Sequence, residues 1–192
     1  AKRGRSATSS SATTVSEAVI ASADDGYYDD MGMAFETTAA FLDIGFDDGM
    51  GISNSAWVRF QSVAIPNAAV IATAVLTFKV NANASAAFDM TIAGEDADDS
   101  SQYSSNMEAQ SVSTTTATVT WTGDSSWSAG DTAVAPSIKT IIQEIVDRGG
   151  WSTGNDLTLQ IIYGGDSVSS ENYRFKTYDD SSSVAATLVV TY

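Results

Sequence analysis

The apolar positions of this chain change period once. Along most of its length they alternate with polar ones, the two-residue repeat of a strand with one buried face. Over residues 136–146 they recur at helical spacing instead. Ile138, Ile141, Ile142, Ile145 and Val146 fall at i, i+3, i+4, i+7 and i+8, so the spacing predicts an amphipathic helix with one apolar stripe. Pro136 suits the first turn, where a missing N–H costs nothing, and Gly149 and Gly150 read as the positive-φ residues that end the helix. Trp151 follows, and then Leu157, Leu159, Ile161 and Tyr163 alternate as a strand. The expected arrangement is a short helix closing one end of an all-β core, with Ile138, Ile141, Ile142 and Ile145 buried beside Trp151.

The other strand signals lie at 15–20, 35–44, 56–60, 70–80, 88–93, 116–121, 173–178 and 186–192. In 70–80 the residues Val70, Ala72, Ala74, Leu76, Phe78 and Val80 share one side. The stretch ASADDGYYDD after Ile20 reads as an acidic loop, and Pro66-Asn67 as a turn. About nine strands joined by turn chemistry predict an all-β fold, a two-sheet antiparallel β-sandwich, jelly-roll-like, with one short amphipathic helix. Residues 1–14 are Ser, Thr and Ala behind a basic cluster and read as an extended N-terminal arm; 15–192 read as a single sandwich domain.

Several segments in order resemble a known family. IIQEIVDRGGWSTGNDLTLQI at the helix and following strand resembles the signature of the DNRLRE domains. That family is grouped with carbohydrate-binding modules and occurs in bacterial surface proteins and in phage structural proteins. WVRFQSVAIPNAAVIATAVLTFKV, IAGEDADDSSQYS, VTWTGDSSWSAGD and RFKTYDDSSSVAATLVVTY extend the likeness over most of the chain. The resemblance implies a sandwich fold and, for function, binding or assembly rather than a defined chemistry.

Charge narrows the partners. Twenty-four acidic side chains against 9 basic ones give −15, and Lys2, Arg3 and Arg5 concentrate positive charge at the start. So acidic a body repels nucleic acid and acidic polysaccharides. Cysteine and histidine are both absent, which excludes disulfides, Cys/His zinc sites and Ser-His-Asp triads for want of their atoms. No run of about 18 apolar residues is present, so no membrane partner is expected. The start has no apolar signal region, and export by one is not expected.

Hard carboxylate oxygens gathered in loops are the ligands calcium takes. The first strand and the last loop of carbohydrate-binding sandwiches often hold a structural calcium, so Asp24, Asp25, Asp179 and Asp180 are the candidate metal ligands; no other cofactor is expected. Sugar rings stack on exposed aromatic faces. Trp127, Tyr27 and Tyr28, in loops and turns, are the carbohydrate candidates, while Trp57 and Trp151 sit among apolar neighbours and read as core. Paired carboxylates alone carry no specificity in a chain with 24 of them, and no catalytic residues are assigned.

The expectation is a non-enzymatic structural protein of a phage virion, a capsid decoration or cement subunit or a small appendage at the virion surface. Its partners would be a capsid or other virion protein and further copies of itself as a homo-oligomer, with Lys2, Arg3 and Arg5 as the assembly contact. The alternative is an extracellular carbohydrate-binding module of a bacterial protein, with a glycan as partner.

Overall fold

A computed structural model of the chain describes residues 11–84, 86–165 and 170–192. Labels run in chain order. The smaller sheet has the order β1 (Thr14–Ala18), β12 (Thr187–Thr191), β6 (Thr73–Lys79) and β9 (Thr132–Val134). The larger runs β11 (Glu171–Lys176), β4 (Phe41–Asp47), β5 (Ile52–Phe60), β10 (Leu157–Tyr163), β7 (Asp89–Glu95) and β8 (Thr114–Thr122). Beside this path β2 (Asp25–Asp29) also pairs with β5, and β3 (Phe35–Glu36) pairs with β2. Every pairing is antiparallel, and the two sheets form the expected β-sandwich.

The core lies between the sheets and is built by period-two alternation. In β6 Ala74, Leu76 and Phe78 are buried while Val75, Thr77 and Lys79 are not, and Leu188 and Val190 of β12 face the same interior. Leu42, Ile44, Val58, Phe60, Met90, Ile92, Leu159 and Ile161 meet them from the larger sheet. Val70 and Ala72, expected on the same side, precede the strand, and Val70 is 81% exposed. The pattern there was apolar by composition without being part of the ladder.

The helix α2 spans Lys139–Val146 with Ile138 at its N-cap, and Ile138, Ile141, Ile142, Ile145 and Val146 are all buried, as is Trp151. It lies against β7 and β8. Gly94 makes this approach possible: a Cβ there would stand 2.6 Å from Ile145 Cδ1 and 2.9 Å from Ile141 Cγ2. Glu144 fastens the helix to the edge of β8 by accepting from Thr116 and Ala117 N–H, 2.7 Å each. The helix end differs from the expectation. Positive φ at Gly149 and Gly150 is not used; Asp147 stays helical, and Asn67 Nδ2 donates to the carbonyls of Val146 and Arg148 at 2.9 and 2.7 Å, which also accept from Ala68 and Trp151 N–H.

A second helix, α1 (Asn106–Ser111), starts at Ser105, whose hydroxyl accepts from Glu108 N–H. It covers the outer face of the larger sheet, where Tyr28, Trp57, Tyr103 and Ala109 form a separate small core. Half of the supposed acidic loop is therefore β2, a buried strand, and the 35–44 segment is two strands broken at 37–40.

Candidate functional site

The outer face of β4 and β11 holds a groove of about 260 Å³. Asp43 and Gly45 of β4, Asn54 of β5, and Asn172 and Arg174 of β11 line it. Arg174 pairs opposite Asp43 in the ladder, so adjacent strands set the two side chains next to each other; Nη2 donates to Asp43 Oδ2 at 3.2 Å. Burial pushes the Asp43 carboxyl above its usual range, while the Arg174 charge and hydrogen bonds from Arg174 and Asn172 pull it back. Neither Asp43 Oδ1 nor Arg174 Nε has a hydrogen-bond partner, although both are buried. A pair with an acceptor and a donor unmet is unusual, because buried polar atoms are almost always satisfied.

At one end of the groove the Arg174 guanidinium lies 4.5 Å over the Phe41 ring. Tyr27 stacks parallel to Phe41, with centroids 6.2 Å apart and 11° between planes. Tyr27 is half-buried, and its hydroxyl is pushed up first by burial and then by the charges of Glu36 and Asp43. Gly45 is needed here because a side chain would strike the Glu171 carbonyl across the ladder. The arrangement is a polar groove with a stacked aromatic pair beside it, suited to a ligand that carries several hydroxyls.

The predicted carboxylate set is only partly brought together. Asp25, 1% exposed, shares its surroundings with Asp179 and Asp24, and those two charges reinforce the burial that pushes its carboxyl up to about 7. Asp25 Oδ2 accepts from Tyr178 N–H, while Oδ1 is buried and unpartnered. Ser22 Oγ donates to Asp179 at 2.8 Å and sits 3.2 Å from the Thr37 carbonyl. Asp24 is turned elsewhere, toward Arg59 at 2.6 Å and Gln61, and Asp180 pairs with Lys176 at 2.8 Å. Asp25 and Asp179, with Ser22 and the Thr37 carbonyl nearby, are thus the oxygens suited to a hard cation. Among the described residues no three acidic side chains converge closely enough to hold one by themselves.

Of the three aromatics expected to meet a sugar, Tyr27 comes nearest the groove: it stacks on Phe41, over which Arg174 of the groove lies, and neither ring is part of the lining. Tyr28 is 7% exposed, and its hydroxyl donates to Gln160 Oε1 at 3.1 Å in the small outer core. Gln160 in turn donates to the Ala109 carbonyl at 2.8 Å, so the network is closed by α1. Trp127, read from its turn as exposed, packs edge-on against Trp121, Tyr173 and Phe175, because the turn folds back over the core. Phe41, Asn54, Asn172 and Arg174 were not singled out by sequence, and Asp43 was noted only as one of many acidic residues. Their only signal was polar residues alternating with core residues in 41–47 and 171–176. Lys2, Arg3 and Arg5 lie outside the described residues.

No protein-family model matches the chain, and a search of the curated proteins finds no matching relative.

Proposed function

We propose that this chain is a non-enzymatic glycan-binding β-sandwich that holds a neutral sugar in the groove of β4 and β11. The observation that carries the reading is the polar lining of the groove by Asp43, Asn54, Asn172 and Arg174, with the stacked Tyr27–Phe41 pair beside it. A pyranose has an apolar C–H face that stacks on an aromatic ring and a rim of hydroxyls that each donate and accept. Asp43 supplies an acceptor; Arg174, Asn54 and Asn172 supply donors. Net charge of −15 favours a neutral glycan over an acidic one. The resemblance to DNRLRE domains points the same way.

Glycan-array screening of the whole chain, followed by calorimetry on the best neutral ligand, tests this. Asn172→Ala is expected to weaken binding while leaving the melting temperature nearly unchanged, and Arg174→Ala to abolish it with some loss of stability, because Asp43 then loses its cation. Wild-type protein that binds no glycan, or variants that bind as well as wild type, would overturn the reading.

A structural subunit of a virion, as a capsid decoration protein on the particle surface, is the second reading. It is favoured by one observation: Met31, Met33, Met50 and Met107 are each more than 60% exposed. Four solvent-facing methionines among the five in the chain are what an assembly contact would use. Mass spectrometry of purified particles, with immunogold labelling, decides whether the chain is a component.

A further inference from the structure

The exposed methionines share one end of the sandwich. Met31 and Met33 lie in the turn between β2 and β3, where both backbone N–H groups donate to Asp29. Met107 is on α1, which is tied to that same turn by Asn106 Nδ2–H and Gln110 Nε2–H, both donating to the Asp29 carbonyl. Met31 and Met107 line a single hollow there. Met50 is in the neighbouring turn between β4 and β5, which is joined to the first by the mutual bonds of Asp30 and Ser53. Exposed Asp30, Asp47 and Asp48 surround this apolar surface. Two such ends facing each other would oppose like charges, so a symmetric contact is disfavoured.

Positive charge lies elsewhere. Of the six Lys and Arg side chains among the described residues, Arg59, Arg148, Arg174 and Lys176 already sit in ion pairs. The densest positive charge along the sequence is Lys2, Arg3 and Arg5. The described chain enters at the opposite end of the sandwich. Thr13 exchanges backbone hydrogen bonds with Tyr192, and the Tyr192 hydroxyl reaches the Ala64 carbonyl just beyond Phe60, at the far end of β5 from Ile52. Ten preceding residues span at most about 33 Å at 3.3 Å each, enough to reach a copy stacked end to end.

Resting on the particle-subunit reading, we infer that the methionine end of one copy receives the basic amino-terminal segment of the next, a head-to-tail contact. Lys and Arg stems pack on the thioethers while their charges meet Asp30, Asp47 and Asp48. A contact of this kind is heterologous and propagates into rings or chains rather than stopping at a dimer.

Sedimentation velocity of the full chain across a concentration series tests it. Wild type is expected to grow in mass with concentration and to fall back to monomer at molar salt, where the screening length shrinks to about 3 Å. The double variant Met31→Ser/Met107→Ser and the triple variant Lys2→Ala/Arg3→Ala/Arg5→Ala should each stay monomeric. Mixed in equal amounts they should form one-to-one dimers, because each keeps the half that the other lacks. A monomeric wild type, a triple variant that associates like wild type, or a mixture that stays monomeric while wild type associates would overturn the inference. The triple variant alters none of the described residues, so it decides the matter even where the methionine variant melts early. Recovery of the chain in particles bears on the particle reading alone, and self-association in solution on this contact alone.

Discussion

The backbone N–H of Tyr178 donates to Asp25 Oδ2 at 2.9 Å, and nothing donates to the other oxygen of that buried carboxylate. Burial is the largest cause of its rise to about 7, followed in the same direction by Asp179 and Asp24, with the Tyr178 bond opposing. An unfolded Asp titrates near ~3.9, so the folded protein binds this proton more tightly than the unfolded chain does. The stability it contributes is complete below that lower value and is lost as pH rises through about 7. In chelator, the thermal midpoint of wild type should carry a declining component between pH ~4 and ~7 that Asp25→Asn removes. Identical pH profiles for the two proteins would contradict this.

A divalent cation would act in the opposite sense at the same place, because it favours the ionised carboxylate. Calcium added at pH 7 should raise the midpoint of wild type in proportion to the logarithm of its concentration, and chelator should reverse the gain. Asp25→Asn and Asp179→Asn should lose the response. A wild-type midpoint indifferent to both calcium and chelator would remove Asp25 and Asp179 as ligands.

Arg59 binds two carboxylates, fully buried Asp24 at 2.6 Å and partly buried Asp156. Replacing it by Leu keeps some packing but strands the Asp24 charge. The expected loss is about 3–5 kcal/mol, the range for breaking one side of a buried pair. Urea titration at neutral pH measures it, and a loss under about 1 kcal/mol would class the pair with weak surface bridges.

Ile141 is completely buried and touches the sheet where Gly94 lets the helix come close. Ile141→Ala should cost about 2–5 kcal/mol by chemical denaturation, for lost burial and the cavity left behind.

Periodic signals survived into the fold because burial enforces them. The stripe of Ile138, Ile141, Ile142 and Ile145 is buried as its spacing demanded, and the strand from Leu157 to Tyr163 matches residue for residue. What failed to show was polarity satisfied at long range. Asp24, Asp25 and Asp29 look like loop residues, yet they are buried in or next to β2. Their partners are Arg59, Gln61 and the Tyr178 N–H, far away in sequence, together with the local Met31 and Met33 amides. The groove was hidden for the same reason. Asp43 and Arg174 are 131 positions apart, and only the pairing of β4 with β11 makes them neighbours. Trp127 was misplaced because a turn sequence says where the backbone bends, and not whether the bend folds over the core.

The bonds between Thr13 and Tyr192 have a mechanical meaning. The two points where the described chain enters and leaves are side by side, on adjacent antiparallel strands whose register runs from Thr14 and Thr191 to Ala18 and Thr187. A pull that separates Thr13 from Tyr192 loads the β1–β12 ladder at one end, so its hydrogen bonds open one after another instead of sharing the force. Tension applied between these two points would therefore unzip the β1–β12 ladder from its end, the geometry in which a pair of strands resists force least.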